Sequence, residues 1–309
     1  MRIVLIAPDN YPIPNYGGLE RSVYILTENL VKKGHEVYLY ASEGSESSAH
    51  IIFYRKKGQS PDELVDYVLK TMPKNIDIVH DNSICTNYAT KKIPLPIVST
   101  IRWADYPSYK FNVYASKKAR EVLANNKGFY VYNGINVENF EFSDEKEDYI
   151  LFLGRICSDK GLHHALTVCE KNNEKLIIAG PIFDENYYKN RIEPRIKNNE
   201  KVKYIGFAKG TEKQNLLKHA KCVLFPSIWE TFGLVIIEAM ACGTPILAFP
   251  NGGVSEVLEG FPELLCNTVE EMTYKCKNQV FPSPKSMREY VKNKFSSDKM
   301  TERYLFIYK

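Results

Sequence analysis

The chain has 309 residues, 44% hydrophobic and 25% charged, the balance of a globular protein long enough for two ordinary domains. Its 41 basic and 37 acidic residues leave a net charge of +4, too even a balance for nucleic acid to be the main partner. Seven cysteines, an odd number with no Cys-x-x-Cys pair, argue against a zinc ribbon or a dense disulfide framework and for a reducing cytoplasm.

The N-terminal apolar run, residues 1–8, is too short for a secretory signal and reads as a buried first strand. No stretch approaches the roughly 20 apolar residues of a membrane span. The expected place is therefore cytoplasmic, with peripheral contact at the inner face of a membrane left open. Short runs rich in Ile, Val, Leu and Tyr follow at 3–7, 37–41, 76–80, 97–101 and 129–132. A second series occupies 150–153, 176–179, 202–205, 222–225 and 246–249. Helical spacing fills many of the gaps, at 19–33, 61–72, 116–124, 162–170 and 212–219. Continuous apolar strands alternating with helices predict parallel sheets covered on both faces, and two series predict two doubly wound domains. The charged stretch 141–148 reads as the linker. It divides the chain into a domain over 1–143 and a second over 144–285, with a helical tail at about 286–309 packing back on the first.

Chemistry-bearing residues gather where strands end. Gly17-Gly18 follow the first strand and precede a helix. Glycine there lets backbone approach a ligand, and a helix N-terminus favours an anion. No Gly-x-Gly-x-x-Gly stands in this region, which counts against a nicotinamide dehydrogenase. After strand 150–153 come Arg155 and, before the next helix, Lys160. A guanidinium and an ammonium so placed suit a pyrophosphate, although a solvated turn with two surface cations reads almost as well. After strand 222–225 a Pro-Ser loop runs to Glu230-Thr231-Phe232-Gly233-Leu234, with Glu238 in the helix behind. A carboxylate accepts two hydrogen bonds from a diol, and the helix start favours phosphate. This setting suits a ligand with hydroxyls at both ends and phosphates between, which describes a nucleotide sugar. No clear acidic metal motif stands at a strand end.

From residue 2 to about 260 these pieces together resemble the retaining glycosyltransferases of family 4. The matching pieces are Gly17-Gly18, Asp77-Ile78-Val79-His80, Tyr132-Asn133-Gly134-Ile135-Asn136, Gly154-Arg155 with Lys160-Gly161, Ala179-Gly180-Pro181, Ile205-Gly206-Phe207 and the block from Glu230 to Pro245. The resemblance implies the α/β GT-B fold, two doubly wound Rossmann-like domains facing a central cleft. It also implies an enzyme that uses a nucleotide-sugar donor, with a UDP-sugar favoured over a GDP-sugar, and needs no metal or other cofactor. Arg155 and Lys160 would hold the donor pyrophosphate, Glu238 the ribose and Glu230 the transferred sugar. Thr231, Phe232, Gly233 and Leu234 would cradle sugar and phosphate, Gly17 and Gly18 would approach the phosphate, and Gly180, Pro181, Gly206 and Phe207 would line the base. Where many members have a His-Gly pair, this chain reads Arg102-Trp103. Arginine is always charged and is no base at neutral pH, so Arg102 would stabilise negative charge. His80 is the remaining candidate near the reacting sugar. The acceptor would be a saccharide or lipid-linked saccharide of a cell-surface glycan, met by the aromatic stretch 103–111 and the cations Lys117, Lys118 and Arg120. Two other readings stay open: a nucleotide-sugar epimerase of the same fold, and a non-catalytic nucleotide-sugar-binding protein.

Overall fold

A computed structural model describes residues 1–8, 12–13, 17–55, 60–83, 94–101, 111–278 and 280–309. The chain forms two compact units, one of Met1–Asn136 with Ser296–Lys309, the other of Val137–Phe295.

The first unit is built on a parallel sheet of β1 (Arg2–Ile6), β2 (Glu36–Ser42), β3 (His50–Arg55), β4 (Ile78–Asp81), β5 (Ile97–Ile101), β6 (Phe111–Tyr114) and β7 (Phe129–Tyr130). Their spatial order is β3-β2-β1-β4-β5-β6-β7. Helices α1 (Gly18–Lys32), α2 (Pro61–Thr71) and α3 (Lys117–Ala124) belong to this unit. The period of two along a strand divides the core. Ile3, Leu5 and Ala7 of the β1 segment join Val23, Leu26 and Leu30 of α1 on one face. Val4 and Ile6 join Leu64, Val65 and Val68 of α2 on the other. The spacing had predicted neither β3 nor β6. β3 is a four-residue apolar run flanked by polar residues, and β6 follows directly on an aromatic-rich segment whose composition suggested a surface.

The second unit holds β8 (Ile150–Leu153), α4 (Leu162–Asn172), β9 (Leu176–Ala179), the short helices α5 (Glu185–Tyr187) and α6 (Glu193–Lys197), β10 (Val202–Tyr204), α7 (Gly210–His219), β11 (Cys222–Phe225), α8 (Leu234–Ala241), β12 (Ile246–Ala248), α9 (Val254–Val257), α10 (Val269–Asn278) and α11 (Pro284–Lys294). The five parallel strands stand in the order β10-β9-β8-β11-β12. The chain winds outward from β8 through β9 to β10, then crosses to β11 on the other side. The gap between β8 and β11 is therefore the topological switch point, where ligands of open α/β sheets bind beyond the carboxyl ends.

Two expectations need correction. The division falls at Asn136/Val137, and the charged stretch 141–148 belongs to the second unit. Lys146 explains why: its Nζ donates to the carbonyls of Ser143 and Lys218 and to Thr244 Oγ1, each at 2.8 Å, tying the stretch to the C-terminus of α7. The tail divides as well. α11 stays with the second unit, where Arg288 donates to the Ala241 carbonyl at the end of α8 (2.6 Å) and to Phe140 (2.8 Å). The last helix, α12 (Ser297–Tyr308), returns to the first unit, and its Met300, Tyr304 and Tyr308 enter the core facing α1.

Candidate functional site

Within the second unit the loops leaving the carboxyl ends of β8 and β11 are pressed together. Gly161 begins α4 with φ +68, and a Cβ there would fall 2.1 Å from the Pro226 carbonyl oxygen, so no side chain fits. The Ile228 N–H donates to the Asp159 carbonyl at 2.8 Å. Lys160 Nζ then meets Glu230 Oε1 at 2.7 Å, each side chain 15% exposed. The loop after β12 fixes the backbone behind Glu230. The Gly253 N–H donates to the Glu230 carbonyl at 2.8 Å, and Asn251 Nδ2 donates to the Ser227 carbonyl at 3.1 Å. Gly252, at φ +62, leaves room for that carbonyl, since a Cβ would come within 2.0 Å of it.

Glu230 is followed by Thr231, half-buried, and Phe232, whose buried ring packs edge-on against Phe295 at 5.5 Å. The Phe232 side chain thus anchors the turn, leaving only its backbone to face a ligand. Gly233, at φ +90, caps α8 without a side-chain hydrogen bond, and no acidic residue stands in the first turn, which starts at Leu234. The positive end of the helix is therefore not neutralised from within. Glu238, 1% exposed on α8, pairs with Lys213 Nζ of α7 at 2.5 Å. Sequence reasoning missed Lys213. Only the packing of α7 on α8 reveals it, because nothing in its local spacing marks it.

The β9 and β10 loops lie on the other side of β8. Gly180 has φ +149, and a Cβ on it would overlap the Gly154 carbonyl. Its N–H donates to the Gly206 carbonyl (2.7 Å), while Ile156 N–H donates to the Pro181 carbonyl (2.8 Å) and Tyr204 to the Gly180 carbonyl (2.9 Å). These bonds leave the rings of Phe183 and Phe207 60% and 46% exposed. The Arg155 guanidinium lies over Phe183, 4.6 Å from the ring centre. Among the described residues no carboxylate is within ion-pair distance of Arg155. One edge of the sheet thus carries a stacked guanidinium, a lysine–glutamate pair and an open helix N-terminus.

Other candidates fall elsewhere. His80 lies on β4 of the first unit, fully buried, with Nδ1 2.6 Å from Tyr308 Oη and Nε2 2.8 Å from Thr100 Oγ1. Both ring nitrogens are engaged inside the core, so the expectation that His80 touches substrate is corrected to a structural role. Gly17 and Gly18 form the N-cap and first residue of α1, after the carboxyl end of β1. Arg102 and the rest of 102–110 lie outside the described residues. Burial pushes the thiols of Cys157, Cys242 and Cys266 up to about 12, so none of these is a thiolate nucleophile at neutral pH. Among the described residues no group of three His, Cys, Asp or Glu side chains is arranged to hold a metal. Nor is any helix long and apolar enough to cross a membrane.

Residues 135–268 match the family described as glycosyl transferases group 1. An uncharacterized glycosyltransferase of Methanocaldococcus jannaschii is 26% identical, over 84% of this chain and 83% of its own length. Two solved structures share the fold. A glycosyltransferase involved in avilamycin A biosynthesis has a TM-score of 0.79 and 21% identity, over 99% of this chain and 96% of its own. Anabaena HepE, solved in complex with UDP and glucose, has a TM-score of 0.78 and 18% identity, over 99% and 98%. The protein is an enzyme of the glycosyltransferase class (EC 2.4), with the α/β, Rossmann-like GT-B fold. Within that class its second unit carries the group 1 glycosyl transferase match.

Proposed function

We propose that the enzyme is a retaining glycosyltransferase of family 4. It moves a sugar from a nucleoside-diphosphate sugar, a UDP-sugar before a GDP-sugar, to a hydroxyl of a saccharide or lipid-linked acceptor in cell-surface glycan synthesis. The observation that carries this reading is the Lys160–Glu230 pair at the switch point, 2.7 Å apart, with Arg155 on the same β8 loop and, among the described residues, no carboxylate within ion-pair distance of it. Arg155, Lys160 and the N-terminus of α8 supply positive charge for a diphosphate. The charge that builds on the leaving phosphate meets fixed donors there, which is the largest source of rate in such a site. Glu230, held by Lys160 and by its clamped backbone, accepts hydroxyls of the transferred sugar, and Glu238 accepts those of the ribose. The rings of Phe183 and Phe207 border the base, and the UDP in the HepE structure is in keeping with uracil as that base.

In the reaction the bond from the anomeric carbon to the leaving phosphate oxygen breaks. The acceptor oxygen bonds to that carbon on the same face, and its proton passes to the departing phosphate. The reading assigns no metal or cofactor, because the charge is carried by the chain's own cations. Incubation with a panel of UDP-, GDP- and ADP-sugars and mixed saccharide acceptors tests it by release of nucleoside diphosphate and the anomeric configuration of the product. Retained configuration supports the proposal. Inverted product, a nucleotide sugar with altered stereochemistry, or tight binding without turnover on every acceptor would each refute it.

A further inference from the structure

Away from the donor site, the first unit gathers cations around a single ring. Lys117 Nζ and the guanidinium carbons of Arg120 and Arg303 lie 5.7, 5.3 and 5.7 Å from the centre of Tyr130. Three like charges so close repel one another, and the ring quadrupole offsets part of that. The Arg120 Nε is buried and has no hydrogen-bond partner among the described residues, so an incoming acceptor would satisfy it. Beside the cluster is a cavity of about 500 Å³ bordered by Arg120, Phe129, Tyr130, Lys299, Arg303 and Phe306. Its one acidic neighbour, Glu302, lies 3.8 Å from Lys33. Phe306 is 79% and Phe129 38% exposed. On α12 the buried residues Met300, Tyr304 and Tyr308 define the inner face, so Lys299, Arg303 and Phe306 form the outer stripe.

We propose that this face of α3, β7 and α12 docks on an anionic phospholipid bilayer, with the cations on headgroup phosphates and the ring of Phe306 in the interface. Aromatic anchors rimmed by Lys and Arg are the chemistry of a headgroup layer. A soluble phosphate would engage the cations but give Phe306 nothing to bury against. A second copy meeting this face through a two-fold axis would set cation against cation.

Co-sedimentation of the full chain with vesicles of phosphatidylglycerol and phosphatidylcholine, against phosphatidylcholine alone, tests the assignment. The expected result is binding to the anionic vesicles that weakens with salt. Each cation at such a surface contributes about fivefold, so Arg120→Gln with Arg303→Gln should weaken binding about thirtyfold. The paired Lys substitutions should keep most of it. Phe306→Ser, at an exposed position where folding is not at stake, should weaken vesicle binding on its own. The proposal is overturned if neutral vesicles bind equally well, or if both the Gln pair and Phe306→Ser bind like the parent. It also falls if inorganic phosphate raises the melting temperature while vesicles fail to bind, or if these substitutions abolish a dimer instead.

Discussion

Glu230 and Glu238 each face a lysine, and the two pairs differ in what their loss should do. Lys160–Glu230 is mostly buried, with 15% of each side chain exposed, so loss of either partner costs about 1–2 kcal/mol, less than for a fully buried pair. Replacing Glu230 by Ala should therefore lower the urea midpoint modestly while leaving a single cooperative transition. It should weaken sugar-nucleotide binding tenfold or more, by about 1.5–3 kcal/mol for lost charged hydrogen bonds, while free nucleoside diphosphate binds almost as before. Equal losses for both ligands in calorimetry would show that Glu230 does not read the sugar. Glu238 is 1% exposed and relies on Lys213, itself 19% exposed. Lys213→Met should strand the carboxylate and cost about 2 kcal/mol, below the 3–5 typical of fully buried pairs because water reaches the lysine. Lys213→Met with Glu238→Leu should recover part of that in urea unfolding, and strictly additive losses would disprove the coupling. At this scale the placement of Arg155, Lys160 and the two glutamates at strand ends and a helix start was legible, because loop and helix-start chemistry is local. Lys213 was not, since its partner is set by helix packing.

Helix α4 carries a pH sensor of stability beside the Lys160 loop. The His163 backbone N–H donates to Tyr187 Oη at 3.0 Å, and its Nδ1 lies 2.8 Å from the same oxygen. The phenol hydrogen can close this contact only if Nδ1 is unprotonated. Burial chiefly, then the neighbouring His164, Arg191 and Arg195, lower the His163 pKa to about 4. Between pH 6.5 and about 4 the unfolded chain then binds more protons than the folded one. The contribution is whole above 6.5 and is lost as pH falls to 4, about 2 kcal/mol once solvent reaching the half-buried ring is allowed for. His163→Gln should flatten that part of the stability curve in urea titrations from pH 7 to 4.5, and an unchanged slope would contradict the assignment. Elements were mostly legible where short apolar runs alternate regularly with helical spacing, as from β8 to β12. β3 and β6 were hidden because their side chains mix polar and aromatic residues, and tertiary pairing decides such strands.

For the whole molecule, the consequential departure from the sequence reading is the path of the last helix. Hydrophobic spacing marks a helical tail, yet the break between α11 and α12 assigns one helix to each unit. The amphipathic pattern gives a helix its apolar stripe but not the identity of the surface that covers it. α12 completes the first unit's core and ends in the Tyr308–His80–Thr100 contacts. Tyr308→Phe removes the hydroxyl facing a fully buried imidazole and should cost the first unit about 1–3 kcal/mol. Nucleotide binding in the second unit should be unaffected, and a loss there in calorimetry would show that the two units are not separable in this way.

Diphosphate recognition by the second unit alone is the claim on which the donor reading stands. Calorimetric titration of the parent and of Arg155→Ala/Lys160→Ala with UDP, GDP and ADP addresses it directly, since all three share the diphosphate. At least one nucleotide should bind the parent, and the double variant should lose that affinity a hundredfold or more, about 3 kcal/mol for two charge-assisted contacts, while still unfolding cooperatively at a somewhat lower melting temperature. A folded double variant that binds the same nucleotide as tightly as the parent would contradict the account.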